Sequence, residues 1–135
     1  MKKALYVILA LFMLSCGSTQ KTTEKNLPDE AVRIANDELE YEIIIIDIGF
    51  QSYLNSIAQP ANFYSVEYYE QRNRMYVAEW NNRFRNPQRY NPNIYENEIN
   101  YDPNIRYGLD VNYKLFNYFK FVEYKYNQRF FLSRN

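Results

Sequence analysis

The strongest constraint on the fold is an apolar stripe at helical spacing between two prolines. Pro60 suits the first turn of a helix, and Pro87 closes one. The pattern between them predicts one long amphipathic helix, with charged residues largely on its other face. Asn73 falls within the stripe, so it needs a hydrogen-bond partner if it is buried. The apolar residues of the stripe are Val66, Tyr69, Tyr76, Val77, Trp80 and Phe84.

A second long helix is predicted nearer the C-terminus. Asp110 is a plausible N-cap, and the apolar pattern continues at helical spacing to about Phe130. From Phe119 to Tyr126 a strand pattern also fits, and that alternative stays open. The stripe consists of Val111, Leu115, Phe119, Val122, Tyr126 and Phe130, widened by Tyr113 and Phe116.

An unbroken isoleucine run, residues 43–46, predicts a strand that is covered on both faces. Gly49 ends it, and apolar residues at helical spacing then predict a short helix over residues 50–57.

Residues 86–104 are rich in asparagine and proline, which favour turns. If this segment is extended, Tyr95, Ile99 and Tyr101 share a face and it could partly pair with the isoleucine strand. The predicted fold class is α+β: a short helix and two long helices packed on a strand or small sheet.

The N-terminus carries the pattern of a bacterial lipoprotein signal. Lys2 and Lys3 precede an apolar run, which is followed by Ser15 and by Cys16, the single cysteine. The run is shorter than the ~20 apolar residues that span a bilayer. We therefore predict a signal peptide over residues 1–15. Cys16 would carry acyl chains such as palmitate and begin a flexible tether over residues 16–29, and residues 30–135 would form a single aromatic-rich globular domain.

Charge and residue types argue against several function classes. Removing the two leader lysines from 16 basic residues leaves 14 against 16 acidic ones, so nucleic acid is not an expected partner. Histidine is absent, which removes the commonest general base and zinc ligand. We expect no enzyme, no cofactor and no metal. One weak alternative is a catalytic carboxylate pair, Glu67 with Glu70. Another is a calcium site in the loop that holds Asn100, Asp102 and Asn104, although these residues fit better as caps of Asx turns.

Several segments together resemble a known family. They are the leader with Cys16 and the stretches 47–50, 53–54, 73–81, 99–103, 107–115 and 118–119. The chain resembles a family of uncharacterised small lipoproteins typical of Bacteroidetes, and the resemblance covers most of the mature chain. It implies a place in the bacterial cell envelope and no assigned activity. Residues 17–20 lack the acidic stretch of exported relatives, which favours an anchor in the outer membrane that faces the periplasm.

Two aromatic and amide clusters are the candidate contact sites for a ligand or partner. If the long helices form an antiparallel hairpin, the two clusters could meet and bind a glycan or an extended peptide. The alternative is that Trp80 belongs to the core and the asparagines cap helix ends. The candidates are Trp80, Asn81 and Asn82, with Arg83 beside them, and Tyr107, Asn112 and Tyr113.

The predicted function is that of a non-enzymatic envelope lipoprotein, an accessory or protein-interaction module. Its partners would be the membrane, through the lipid on Cys16, and another envelope protein. The second hypothesis is a periplasmic glycan- or peptide-binding lipoprotein whose ligand the sequence does not identify.

Overall fold

The computed structural model describes residues 31–133, so the predicted signal peptide, Cys16 and the whole predicted tether lie outside it. Within this range the chain forms an α+β fold, as predicted. The elements are, in order, β1 (Val32–Asn36), a 3-10 turn (Asp37–Leu39), β2 (Tyr41–Ile45), α1 (Phe50–Ser56), α2 (Val66–Phe84), α3 (Gly108–Tyr126) and a second 3-10 turn (Phe131–Ser133).

The two strands form an antiparallel hairpin in which Val32 lies opposite Ile45. The isoleucine strand is therefore confirmed, but its partner is β1 and not the segment around residues 95–101. Pairing across a short turn closes a much smaller loop than pairing with that distant segment, which favours the hairpin entropically. The expectation of two covered faces was also wrong, because Ile43 and Ile44 are only partly buried and Ile46, just beyond β2, is 65% exposed.

Helix α2 begins at Val66 rather than near Pro60. The Ser65 hydroxyl accepts a hydrogen bond from the Tyr68 backbone N–H at 3.2 Å, so serine caps the helix and Pro60 lies in the preceding turn. The helix ends at Phe84. The predicted apolar stripe is the buried face, with Tyr69, Tyr76, Val77 and Trp80 in the core.

Helix α3 begins at Gly108 and ends at Tyr126, so the strand alternative for residues 119–126 was wrong. Asp110 is not the N-cap: it lies in the first turn and pairs with Lys114 at 2.8 Å. The helix ends before Phe130 because Asn127 adopts a left-handed conformation, with φ of 50°. Phe130 nevertheless belongs to the core, where the chain folds back over the helices and buries it completely.

Helices α2 and α3 run in the same general direction, which contradicts the antiparallel hairpin. The Tyr69 ring, early in α2, lies 6.0 Å from that of Tyr113, early in α3. The Trp80 ring, late in α2, lies 6.0 Å from that of Phe119, farther along α3. The long connection over residues 85–107 makes this arrangement possible, since it can return the chain to the starting end.

The polar residue in the apolar stripe joins the two helices. Asn73 is fully buried, and its amide donates to the Asn112 backbone oxygen at 2.9 Å and to the Asn112 Oδ1 at 3.1 Å. The partner that the sequence requires for Asn73 therefore lies on the facing helix. Asn112 is held in turn by the Tyr101 hydroxyl, which donates to the same Oδ1 at 2.8 Å.

We predict that Asn73→Ala lowers the free energy of unfolding by about 2 kcal/mol, because it removes two buried hydrogen bonds and leaves a small cavity. Asn82→Ala is the matched control on the exposed side of the same helix, and it should change that free energy by less than about 0.5 kcal/mol. Urea unfolding of both variants measures the difference. Equal losses would show that the buried amide does not bind the helices together.

Candidate functional site

The structure separates the predicted site residues into different places. Trp80 and Asn81, near the end of α2, both hold the connection between the long helices. Tyr107 and Asn112 lie at the start of α3, and they face a different part of that connection. The predicted meeting of the two clusters therefore does not occur.

Trp80 and Asn81 fix the backbone of residues 97–99. The Trp80 indole is 3% exposed, and its Nε1 donates to the Asn97 carbonyl oxygen at 2.8 Å. The Asn81 amide makes two bonds to Ile99: its Nδ2 donates to the carbonyl oxygen and its Oδ1 accepts from the N–H, both at 2.9 Å. These side chains satisfy backbone groups that regular structure would otherwise pair.

Residues 93–99 form one wall of a groove whose other wall is the end of β2. Its cavity volume is about 220 Å³. Five consecutive residues, 43–47, line it. Because successive side chains of a strand point to opposite faces, a groove that contacts all of them follows the outer edge of the strand. The remaining lining includes Trp80, Tyr118 and Tyr126.

The backbone along this edge is unpaired. The sheet described by residues 31–133 has two strands, so β2 has one edge bonded to β1 and one edge free. Among the hydrogen bonds in that range, none joins the backbone of residues 41–46 to anything other than β1. Alternate N–H and C=O groups of β2 therefore point into the groove without a partner in the described part of the chain.

Three carboxylates border the groove, and only two of them are neutralised. Asp47 accepts from the Lys125 ammonium at 2.5 Å, and Glu98 pairs with Arg85. Glu96 makes no ion pair or hydrogen bond within the described part of the chain. The groove thus carries an uncompensated negative charge beside its aromatic lining.

The field of these carboxylates reaches the lining of the groove. Burial raises the pKa of the Tyr118 hydroxyl, and the negative charges of Asp47 and Glu96 raise it further. Tyr118 therefore stays neutral over the whole physiological range of pH, and its hydroxyl remains available as a hydrogen-bond donor.

The other candidates have structural roles. The Tyr107 hydroxyl accepts from the Asp102 N–H at 3.0 Å, and the Tyr113 hydroxyl donates to the Gln59 carbonyl at 2.9 Å. Asn82 is exposed on α2 and accepts a hydrogen bond from the Asn86 side chain. Each of these contacts fixes a turn or a helix end.

The residues of the two weaker alternatives, the carboxylate pair and the calcium loop, make local structural contacts instead. Glu70 is buried and pairs with Arg106 at 2.5 Å, whereas Glu67 is exposed, so the two carboxylates do not flank a shared cleft. Asp102 accepts from the Asn104 N–H at 2.8 Å, which is an Asx turn. No cluster of three potential metal-binding side chains from His, Cys, Asp and Glu occurs among residues 31–133.

We predict that Asn81→Ala releases the groove wall without unfolding the domain. Loss of two hydrogen bonds should speed hydrogen exchange of the Ile99 amide by about tenfold or more, as measured by NMR. Asn82→Ala, at the adjacent exposed position, is the control and should leave that rate unchanged. An unaltered Ile99 rate in Asn81→Ala would mean that other contacts hold the wall.

A second prediction concerns Tyr101, whose hydroxyl pKa is raised to about 12 from 10.0 by burial and by the nearby charge of Glu70. Below the unfolded pKa this group does not change stability with pH. Between the two pKa values the unfolded chain loses the proton first, so the free energy of unfolding falls, by up to about 1.4 kcal/mol per pH unit. Tyr101→Phe should reduce that alkaline slope in urea titrations. Parallel curves for the variant and the native chain would refute this contribution.

Among residues 31–133 no helix has the length and apolar character needed to cross a membrane. Searches found no matching curated protein and no matching solved structure. One family profile matches, described as "Family of unknown function (DUF6146)", and it covers residues 4–133. That match spans nearly the whole sequence, so the chain is a member of the DUF6146 family.

Proposed function

We propose that this chain is a non-enzymatic interaction module that binds another protein of the bacterial envelope through the groove beside β2. The observation that carries the proposal is a preformed groove with a free strand edge, an aromatic lining and an unpaired carboxylate. Unpaired backbone groups that face a groove favour binding of another polypeptide, because a second chain can satisfy them.

The proposed location is the periplasmic face of the outer membrane, with the protein anchored by acyl chains on Cys16 as in small lipoproteins of Bacteroidetes. The support comes from the order of charged, apolar and small residues before the cysteine. Two or three acyl chains would hold the domain firmly at the bilayer, and residues 17–29 would act as a flexible tether.

We predict that Cys16→Ser prevents lipid attachment in native cells, because serine lacks the thiol that would carry the acyl chains. Metabolic labelling with a palmitate analogue should label the native chain and not the variant. A native chain that takes no label would contradict the anchor, and it would leave the interaction proposal to be tested separately.

The interaction proposal is tested by chemical cross-linking in native cells, followed by detergent extraction and mass spectrometry with a C-terminal tag. A single dominant envelope protein, recovered in constant ratio to this chain, is the expected result. A strictly solitary protein from the same extraction would overturn the role as an interaction module.

A glycan or peptidoglycan fragment is the second candidate ligand, because the groove lining joins Trp80 with the amides of Asn93 and Asn97. The free edge of β2 argues for the polypeptide instead, because a second chain can pair with its backbone groups. A sugar titration followed by Trp80 fluorescence tests this candidate, because a sugar bound in the groove would change the emission. No change in fluorescence or melting temperature across a sugar panel would remove this candidate.

A further inference from the structure

We propose that the partner binds as an extended segment that adds a strand to the outer edge of β2 and places a basic side chain against Glu96. This inference rests on the proposed role as an interaction module, and it names the mode of recognition and the chemistry of the bound segment. The argument uses the free backbone edge, the fixed opposite wall and the charge of the groove.

The free edge sets the backbone geometry of the bound segment. Strand β1 pairs with only one edge of β2. The isoleucine run, residues 43–46, consists of β-branched residues that favour extended structure. An added strand would pair with the N–H and C=O groups that now point into the groove. Such backbone pairing gives affinity, and alternate side chains of the added strand then contribute specificity.

The opposite wall limits what can approach this edge. Residues 97–99 are held by the Trp80 indole and the Asn81 amide, so the groove does not have to be opened by the ligand. A preorganised site loses less conformational freedom on binding than a mobile one. The wall also stands beside the edge, so a single strand fits between the walls more readily than the edge of another sheet.

The negative charge of the groove favours a basic segment of another protein over a second copy of this chain as the bound strand. Two copies paired edge to edge would bring together their Glu96 carboxylates and their two projecting walls. Like charges at close range oppose that association. A lysine or arginine of a partner would instead supply the cation that Glu96 lacks among the described residues.

The first test measures binding of a short synthetic peptide of alternating valine and lysine to the detergent-purified full chain, by calorimetry and Trp80 fluorescence. We expect saturable binding in the micromolar to millimolar range, and much weaker binding of the matched valine–glutamate peptide. Two further peptides carry N-methyl groups on every second backbone amide. One peptide is methylated at the odd-numbered residues and the other at the even-numbered residues. At least one of them should bind about tenfold more weakly, because methylation blocks strand pairing.

A matched pair of chain variants locates the site. Ile46 and Ile48 are both 65% exposed, but only Ile46 lines the groove. Ile46→Lys should weaken binding of the basic peptide by about tenfold, whereas Ile48→Lys should have an effect of less than about twofold. Glu96→Gln should weaken it by about threefold, the usual scale of an exposed ion pair.

Several results would overturn strand addition. They are no binding of the basic peptide at millimolar concentration, equal binding of both methylated peptides and the unmethylated one, or equal effects of Ile46→Lys and Ile48→Lys. Concentration-dependent dimers that Ile46→Lys dissociates would assign the edge to a second copy instead. If a partner is still recovered from Ile46→Lys cells at the native ratio, the interaction role stands and this mode of binding falls.

Discussion

The fold depends on the packing of α2 and α3 in the same direction through an aromatic interface. Tyr76 stacks on Phe119 with ring centroids 5.1 Å apart, and Phe130 closes the cluster from beyond α3. Helices that run in the same direction require a connection that travels back along their length, about 28 Å for a helix the size of α2. Residues 85–107 make this return without a regular strand or helix, through a series of turns, and side chains of α2 hold residues 97–99 of it.

The same constraint accounts for the groove. Because side chains of α2 hold the connection on one side, its other side can lie opposite β2 and form the second wall of the groove. The hairpin rests on α3, where Val32 and Ile34 are buried, while residues 97–99 rest on α2. Both long helices share one core, and residues of both walls, Ile45 and Ile99, belong to it, so the core sets the spacing between the walls.

Sequence periodicity predicted the elements better than their arrangement. The stripes around Trp80 and Phe119 follow helical spacing, so both long helices and the isoleucine strand could be found from residue types alone. The direction of α3 relative to α2 is decided by long-range packing, which no local spacing records. The five-residue strand β1 was missed because it follows a polar segment and its alternation is short. The groove was missed because one of its walls is the free edge of a hairpin whose first strand, β1, was not predicted. The other wall belongs to a connection whose path depends on the direction of α3.

The position of Phe130 has a consequence for the order of folding. This side chain is fully buried against Tyr76, Trp80 and Phe119, yet it follows them by many residues in the chain. During vectorial synthesis, the rings of the central cluster stay uncovered until residue 130 has emerged. The fold therefore has high contact order at its centre, and completion of the core is a late step. Until that step the nascent chain presents aromatic surface that favours aggregation.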